Sequence, residues 1–311
     1  MGSKTFKTLD EQIEILSHKG LVIDDVDYAK SILLRENYFF LSGYRHLFLK
    51  DDGSRKFIYG TTFKELYSLF NFDRQLRNIL FKNILIVENN LKSVLSHVVS
   101  KNYGFKEHNY LNSEIFVKDH NKVRQINDLI RKMKRQINVN GKQHAATNHY
   151  MINYGYIPLW VVVKVLSFGI VSELYSILQK EDQEEISRVF NTTVHNLGNY
   201  LPILANYRNL CAHEDLCFSN KTHKKISPNH YHDILNIPKN DEDEYIYGLN
   251  DLMAIIIIMK ELLQESDFIM MMNEISYEID ILDGKVDTIE IEKVLDAMGL
   301  PTNYKEIVRM N

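Results

Sequence analysis

Thirty-eight consecutive residues, 63-FKELYSLFNFDRQLRNILFKNILIVENNLKSVLSHVVS-100, contain neither glycine nor proline and repeat their apolar side chains at the helical period. Phe63, Leu66, Phe70, Leu76, Leu80, Ile84, Val87, Leu91 and Leu95 recur along it, so the stretch is one very long helix or two joined by a slight break. The same period returns in 158-PLWVVVKVLSFGIVSELYSIL-178, 181-EDQEEISRVF-190 and 250-NDLMAIIIIMKELLQES-266. With only five prolines in 311 residues and 45% hydrophobic content, the chain is all-α and can bury a sizeable core. Pro158 suits a helix start, the acids after Lys180 suit a first helical turn, and Gly169 weakens its helix unless a neighbour packs closely there.

The flanks are less regular. Residues 9–49 read as two short helices and a turn, and Asp52-Gly53 marks a clear turn after them. The polar stretch 219–245 has two prolines and weak periodicity, exceeds ordinary loop lengths, and reads as an excursion from a helical bundle. The tail ends in an amphipathic helix from about Ile289. The expected organisation is an N-terminal helical segment over 4–62, a helical core over 63–266 that carries the excursion, and a C-terminal helical tail over 267–311.

A formal net charge of −4 excludes a globally basic nucleic-acid binder and leaves room for a local basic face. The two cysteines, Cys211 and Cys217, fit neither a disulfide framework nor a zinc site, which favours a reducing compartment. His223, His230 and His232 near Asp233 follow no familiar zinc spacing, so neither metal nor cofactor is expected. The longest apolar run, 252-LMAIIIIM-259, falls far short of the roughly 20 residues that span a bilayer. A cytoplasmic protein with no membrane partner is the expectation.

The segment 206-NYRNLCAHEDL-216 places Arg208, Asn209 and His213 in what otherwise reads as a buried helix. Asn209 and His213 are i and i+4 neighbours, and Arg208 lies within reach of the same volume. Arginine offers a planar donor fork for phosphate oxygens, and histidine titrates near neutral pH, so the trio suits a phosphate site. The plainer alternative pairs Arg208 with a core acid and uses His213 as a helix-end cap. Upstream, Glu88 sits among Ile86, Val87 and Leu91 and needs a partner if buried, either Arg208 or His213, or Arg77 or Lys92. Asp73 and Arg77 form a second candidate support, with structure favoured for Asp73. For gripping RNA, Lys118, Lys122, Arg124, Arg131, Lys132, Lys134 and Arg135, with Lys142, outnumber Asp119 and Asp128. Tyr103, Tyr110, Tyr150, Tyr154 and Tyr156 lie around this patch and could stack bases.

Four blocks, 37-NYFFLSGYRHLF-48, 72-FDRQLRNILFKNILIVENNLKSVLSH-97, 157-IPLWVVVKVLSFGIVSELY-175 and 204-LANYRNLCAH-213, resemble in order the Abi-like family of bacterial abortive-infection proteins, of the AbiD and AbiF type. The resemblance implies a HEPN-type helical bundle with added N-terminal and C-terminal helices. It implies a metal-independent ribonuclease site in the R-N-x-x-x-H helix, and a homodimer in which two motifs face each other. Arg208 would then stabilise charge on the phosphorane, Asn209 would orient His213 or hold a phosphate oxygen, and His213 would move the proton of the RNA 2′-hydroxyl. RNA is the expected partner and DNA is not. Where many relatives continue with basic or aromatic residues, this chain has Glu214 and Asp215, which would repel an RNA backbone if they faced it. The alternative is a HEPN-fold module that binds RNA without cutting it, held by a structured noncoding RNA.

Overall fold

The computed structural model describes residues 5–310, so the expected segment ends at residues 4 and 311 lie outside it. Three short helices, α1 (Leu9–His18), α2 (Val26–Glu36) and α3 (Tyr38–Ser42), precede the long α4 (Phe63–Tyr103). Then come α5 (Glu107–Tyr110), α6 (Val123–Asn140), α7 (Ala145–Tyr154), α8 (Leu159–Val162), α9 (Phe168–Ile177), α10 (Lys180–Val189) and α11 (Val194–Ala212). A single turn, α12 (His230–Ile234), lies in the polar stretch before α13 (Leu252–Leu262), α14 (Glu265–Asp283) and α15 (Ile291–Met298). Among the described residues, β pairing is limited to isolated bridges, and the fold is all-α.

The 41-residue α4 is unbroken, and α10, α11 and α14 pack along it. Its start is fixed by a capping box: the Thr62 hydroxyl accepts from the Glu65 N–H, and the Glu65 carboxylate accepts from the Thr62 N–H at 2.8 Å. The other Glu65 oxygen accepts from the backbone N–H groups of Asp287 and Thr288 and from the Thr288 hydroxyl. One buried carboxylate thus caps the start of a helix and ties the C-terminal segment to it. Burial alone would raise this carboxyl, yet those donors outweigh burial and hold it below the usual carboxylate range. Buried side chains from α1 through α15 form one continuous core.

Three elements differ from the sequence reading. The stretch 158–178 is two helices, because a run of β-branched valines gives way to Ser167, whose hydroxyl caps α9 by accepting from the Ile170 N–H. Gly169 has no close neighbour, since a Cβ there would meet nothing within 4 Å; it sits in the exposed first turn of α9, where a glycine costs little. The apolar helix expected over 250–266 ends at Leu262, and Gln264, in extended backbone, starts the 19-residue α14. The polar stretch folds back onto the bundle: Tyr231, His232, Leu235 and Ile237 are buried, and the Thr222 and Ile226 N–H groups donate to the carbonyls of Asn250 and Leu249.

Candidate active site

The Arg208, Asn209 and His213 side chains project from the last turn of α11. This helix starts at Thr193, whose side chain accepts from the Asn196 N–H, and it buries Leu197, Tyr200, Leu201, Leu204 and Tyr207. Pro202 removes a hydrogen bond to the Gly198 carbonyl, and the helix survives on that packing. The end is a Schellman turn in which the Asp215 N–H donates to the Leu210 carbonyl at 3.1 Å and the Glu214 N–H donates to the Cys211 carbonyl at 3.5 Å. Its left-handed position, usually a glycine, is Glu214 at φ 56°.

Beyond the turn the chain is strapped to α4. Asp73, fully buried, accepts from the Cys217 N–H at 3.0 Å, the Phe218 N–H at 2.7 Å, the Tyr44 hydroxyl at 2.6 Å and the Arg77 guanidinium. Arg77 also donates to the Asp215 carbonyl at 3.3 Å. Burial pushes the Asp73 carboxyl up, and Arg77 with the Tyr44 and backbone donors pulls it back; Tyr44 itself is pushed up by burial and by Asp73. Asp73 and Arg77 therefore hold the segment that follows His213, and neither side chain contacts Arg208, Asn209 or His213 within hydrogen-bond reach.

Glu88 is the acid beneath the motif. Its Oε1 accepts from Lys92 Nζ at 2.6 Å, and its Oε2 lies 3.4 Å from Arg208 Nε without hydrogen-bond alignment. Both of the alternatives drawn for Glu88 are thus present in part: it pairs with Lys92 and also faces Arg208, while Arg77 goes to Asp73. The Arg208 guanidinium carbon stands 5.6 Å from the Phe81 ring, and its two terminal nitrogens find no acceptor among the described residues. Asn209 and His213 are exposed, and their side chains form no hydrogen bond within the described residues. Their backbones are linked, since the His213 N–H donates to the Asn209 carbonyl at 3.0 Å. The last turn of α11 therefore presents an anchored cation, a free amide and a free imidazole.

The basic residues lie elsewhere. α6 packs on α9, and α9 packs on α11, so a helix stands between the patch and the motif. Lys122 donates to the Ser176 carbonyl, Lys132 pairs with Glu173 at 2.7 Å and Arg131 pairs with Asp128, so these three are engaged within the fold. Lys118, Arg124, Lys134 and Arg135 are exposed and make no ion pair among the described residues. Tyr110 is buried with its hydroxyl on the Ile157 carbonyl, and the Tyr103 hydroxyl donates to Asp182, which withdraws both from any role with bases. His232 is buried between Asn229 and the Gly248 carbonyl, and no three His, Cys, Asp or Glu among the described residues converge as metal ligands do.

A family model described as Abi-like protein matches residues 31–219, more than half of the chain. The chain belongs to the Abi-like protein family. Membership suggests a part in abortive infection, the bacterial response to phage, and the match takes in Tyr44, Asp73, Glu88 and the whole R-N-x-x-x-H turn. No curated protein and no solved structure matches this Abi-like protein. No helix among its described residues is long and apolar enough to cross a membrane. Sequence reading missed Phe81, which faces the Arg208 guanidinium, and Tyr44, which sits inside the 37–48 block but shows no link to Asp73 until the fold brings them together.

Proposed function

We propose that this Abi-like protein acts in abortive infection as an endoribonuclease of the HEPN type, with the end of α11 as its site. The observation that carries the reading is that Asn209, His213 and the outer edge of Arg208 have no hydrogen-bond partner among the described residues, on a turn otherwise fixed from both sides. A buried structural trio would have satisfied its polar atoms.

In the reaction, His213 takes the proton of a ribose 2′-hydroxyl, and that oxygen attacks the adjacent phosphorus. The P–O2′ bond forms as the P–O5′ bond breaks. The 5′-oxygen leaves with a proton returned by an imidazolium, which a second copy of the motif in a homodimer supplies. The products are a 2′,3′-cyclic phosphate and a 5′-hydroxyl. Arg208, held by Glu88 and Phe81, meets the charge that grows on the phosphorane oxygens. Asn209 holds a phosphate oxygen or the His213 ring.

The test incubates wild type and His213→Ala with total RNA in chelator and follows new 5′-hydroxyl and cyclic-phosphate ends. Cleavage is expected from wild type alone, with a loss of about 10²- to 10⁴-fold in the variant. Equal cleavage by the two would overturn the assignment. The separation of the basic helix α6 from the motif favours one second reading, a module that binds RNA without cutting it. RNA retained by both proteins, with no cleavage by either, would select it.

A further inference from the structure

Six aromatic rings form an unbroken chain of contacts over α7, α8 and the turn after α4. Between ring centres, Trp160 lies 5.3 Å from Phe105, Phe105 lies 5.7 Å from Tyr156, and Tyr156 lies 6.3 Å from Tyr154. Tyr154 then stands 5.3 Å from Tyr150, and Tyr150 stands 5.6 Å from His149. Rings that serve only packing are covered, and their hydroxyls find partners, as Tyr110 shows. Here Tyr154 is 57% exposed and Trp160 44% exposed, and the hydroxyls of Tyr150, Tyr154 and Tyr156 bond to nothing in the described residues. The Lys106 ammonium stands 4.6 Å from the centre of the Tyr156 ring.

Charge is segregated over the same region. From Leu129 to Ser172, 44 residues contain no Asp or Glu and six Lys or Arg, in a chain whose net charge is −4. Of these six, Lys134, Arg135, Lys142 and Lys164 are exposed and make no ion pair among the described residues. The basic helix and the aromatic one are joined end to end, since the Thr147 hydroxyl of α7 donates to the Asn140 carbonyl of α6 at 2.9 Å.

We propose that this surface binds single-stranded RNA, with unpaired bases stacked on the Trp160–Tyr154 ladder and phosphates held by Lys106 and the free cations of α6. Exposed rings and unpaired cations are the two components of sequence-tolerant single-strand binding. A duplex keeps its base faces covered, so it offers the ladder nothing to stack. A membrane surface calls for a helix with one apolar side, and α7 spreads its polar and apolar residues around its circumference. The proposal shares only the RNA with the ribonuclease reading and does not need His213. The end of α4 at Tyr103 lies about 22 Å along the helix from Glu88, or about six or seven stacked nucleotides from the motif's anchor.

Trp160 is the only tryptophan in the chain, so its fluorescence reports on the ladder directly. Full-length His213→Ala protein would be titrated with a uridine oligomer, with the same oligomer annealed to its complement, and with phosphatidylglycerol vesicles. A saturable change in Trp160 emission with the single strand is expected, weaker with the duplex and absent with vesicles. Tyr154→Ala, at an exposed position that can be cut back without disturbing the core, is expected to weaken that binding about 5- to 150-fold, and Lys134→Glu with Arg135→Glu to weaken it and flatten its salt dependence. No emission change with the single strand, an equal response to vesicles, or unaltered binding by Tyr154→Ala would overturn the proposal. Cleavage by wild type beside a silent Trp160 would remove the ladder and leave the nuclease standing. A responsive Trp160 beside equal cleavage by wild type and His213→Ala would do the reverse.

Discussion

Two arginine–carboxylate pairs hang from α4, and they differ in what they leave open. Asp73 and Arg77 are both on the long helix and both buried, and Asp73 is saturated by a tyrosine, an arginine and two backbone N–H groups. Glu88 and Arg208 join α4 to α11 at 3.4 Å without hydrogen-bond alignment, and the outer nitrogens of the arginine meet no acceptor among the described residues. The first pair is closed and fixes the chain beyond the Schellman turn; the second is open and carries the motif. Two carboxylates on one helix, each facing an arginine, have thus been divided between holding a site still and offering it to a ligand.

The largest effect expected from breaking this contrast is at the closed pair. Asp73→Asn leaves the Arg77 charge buried without its counter-ion, while Arg77 Nη2 already lacks a partner among the described residues. A loss of about 3–5 kcal/mol in chemical denaturation is expected. A loss below about 1 kcal/mol would mean that the strap over 215–218 is held by packing of Phe218 and Leu216 instead.

The open pair should respond differently. Glu88→Gln removes the carboxylate from Lys92 and from Arg208, and a stability loss of about 1–3 kcal/mol is expected from the buried donors left behind. If Glu88 also positions Arg208, cleavage by the folded variant falls in kcat more than in KM, and Glu88→Asp restores part of it. A variant that loses stability and keeps full turnover would make Glu88 a support for Lys92 alone.

Legibility in the sequence follows the same division. The long helix α4 was readable because its period is carried by local residues over many turns; of α11 only the end over 206–216 was, since Pro202 sits inside its earlier part. The break between α8 and α9 was not, since it depends on Ser167 acting as a cap inside an apolar run. Nor was the start of α14, because α13 is apolar on every side and buries nine of its eleven residues, which erases the period that marks a helix end. At the site, spacing puts Arg208, Asn209 and His213 within reach of one volume but leaves a structural pairing open, and the resemblance to the Abi-like family is what singles the trio out. The pairing of Glu88 with Arg208 is among the alternatives the sequence offers, whereas the bond of Tyr44 to Asp73, which steadies the segment after His213, joins distant parts of the chain and is set only by packing.

The smallest effect is expected at Glu214. It holds the left-handed position of the Schellman turn, at φ 56°, where a side chain costs about 1–2 kcal/mol relative to glycine. Part of that gain is offset by the greater freedom of glycine in the unfolded chain, about 0.4–1 kcal/mol. Glu214→Gly should therefore stabilise the protein by about 0.5–1 kcal/mol, read as a higher denaturation midpoint with an unchanged slope. The same substitution removes an exposed negative charge next to His213, so cleavage should rise at low ionic strength, with the gain shrinking as salt screens the charge. Higher stability with no salt-dependent change in cleavage would place the Glu214 carboxylate out of range of the RNA backbone, toward Arg74, whose charge it already favours.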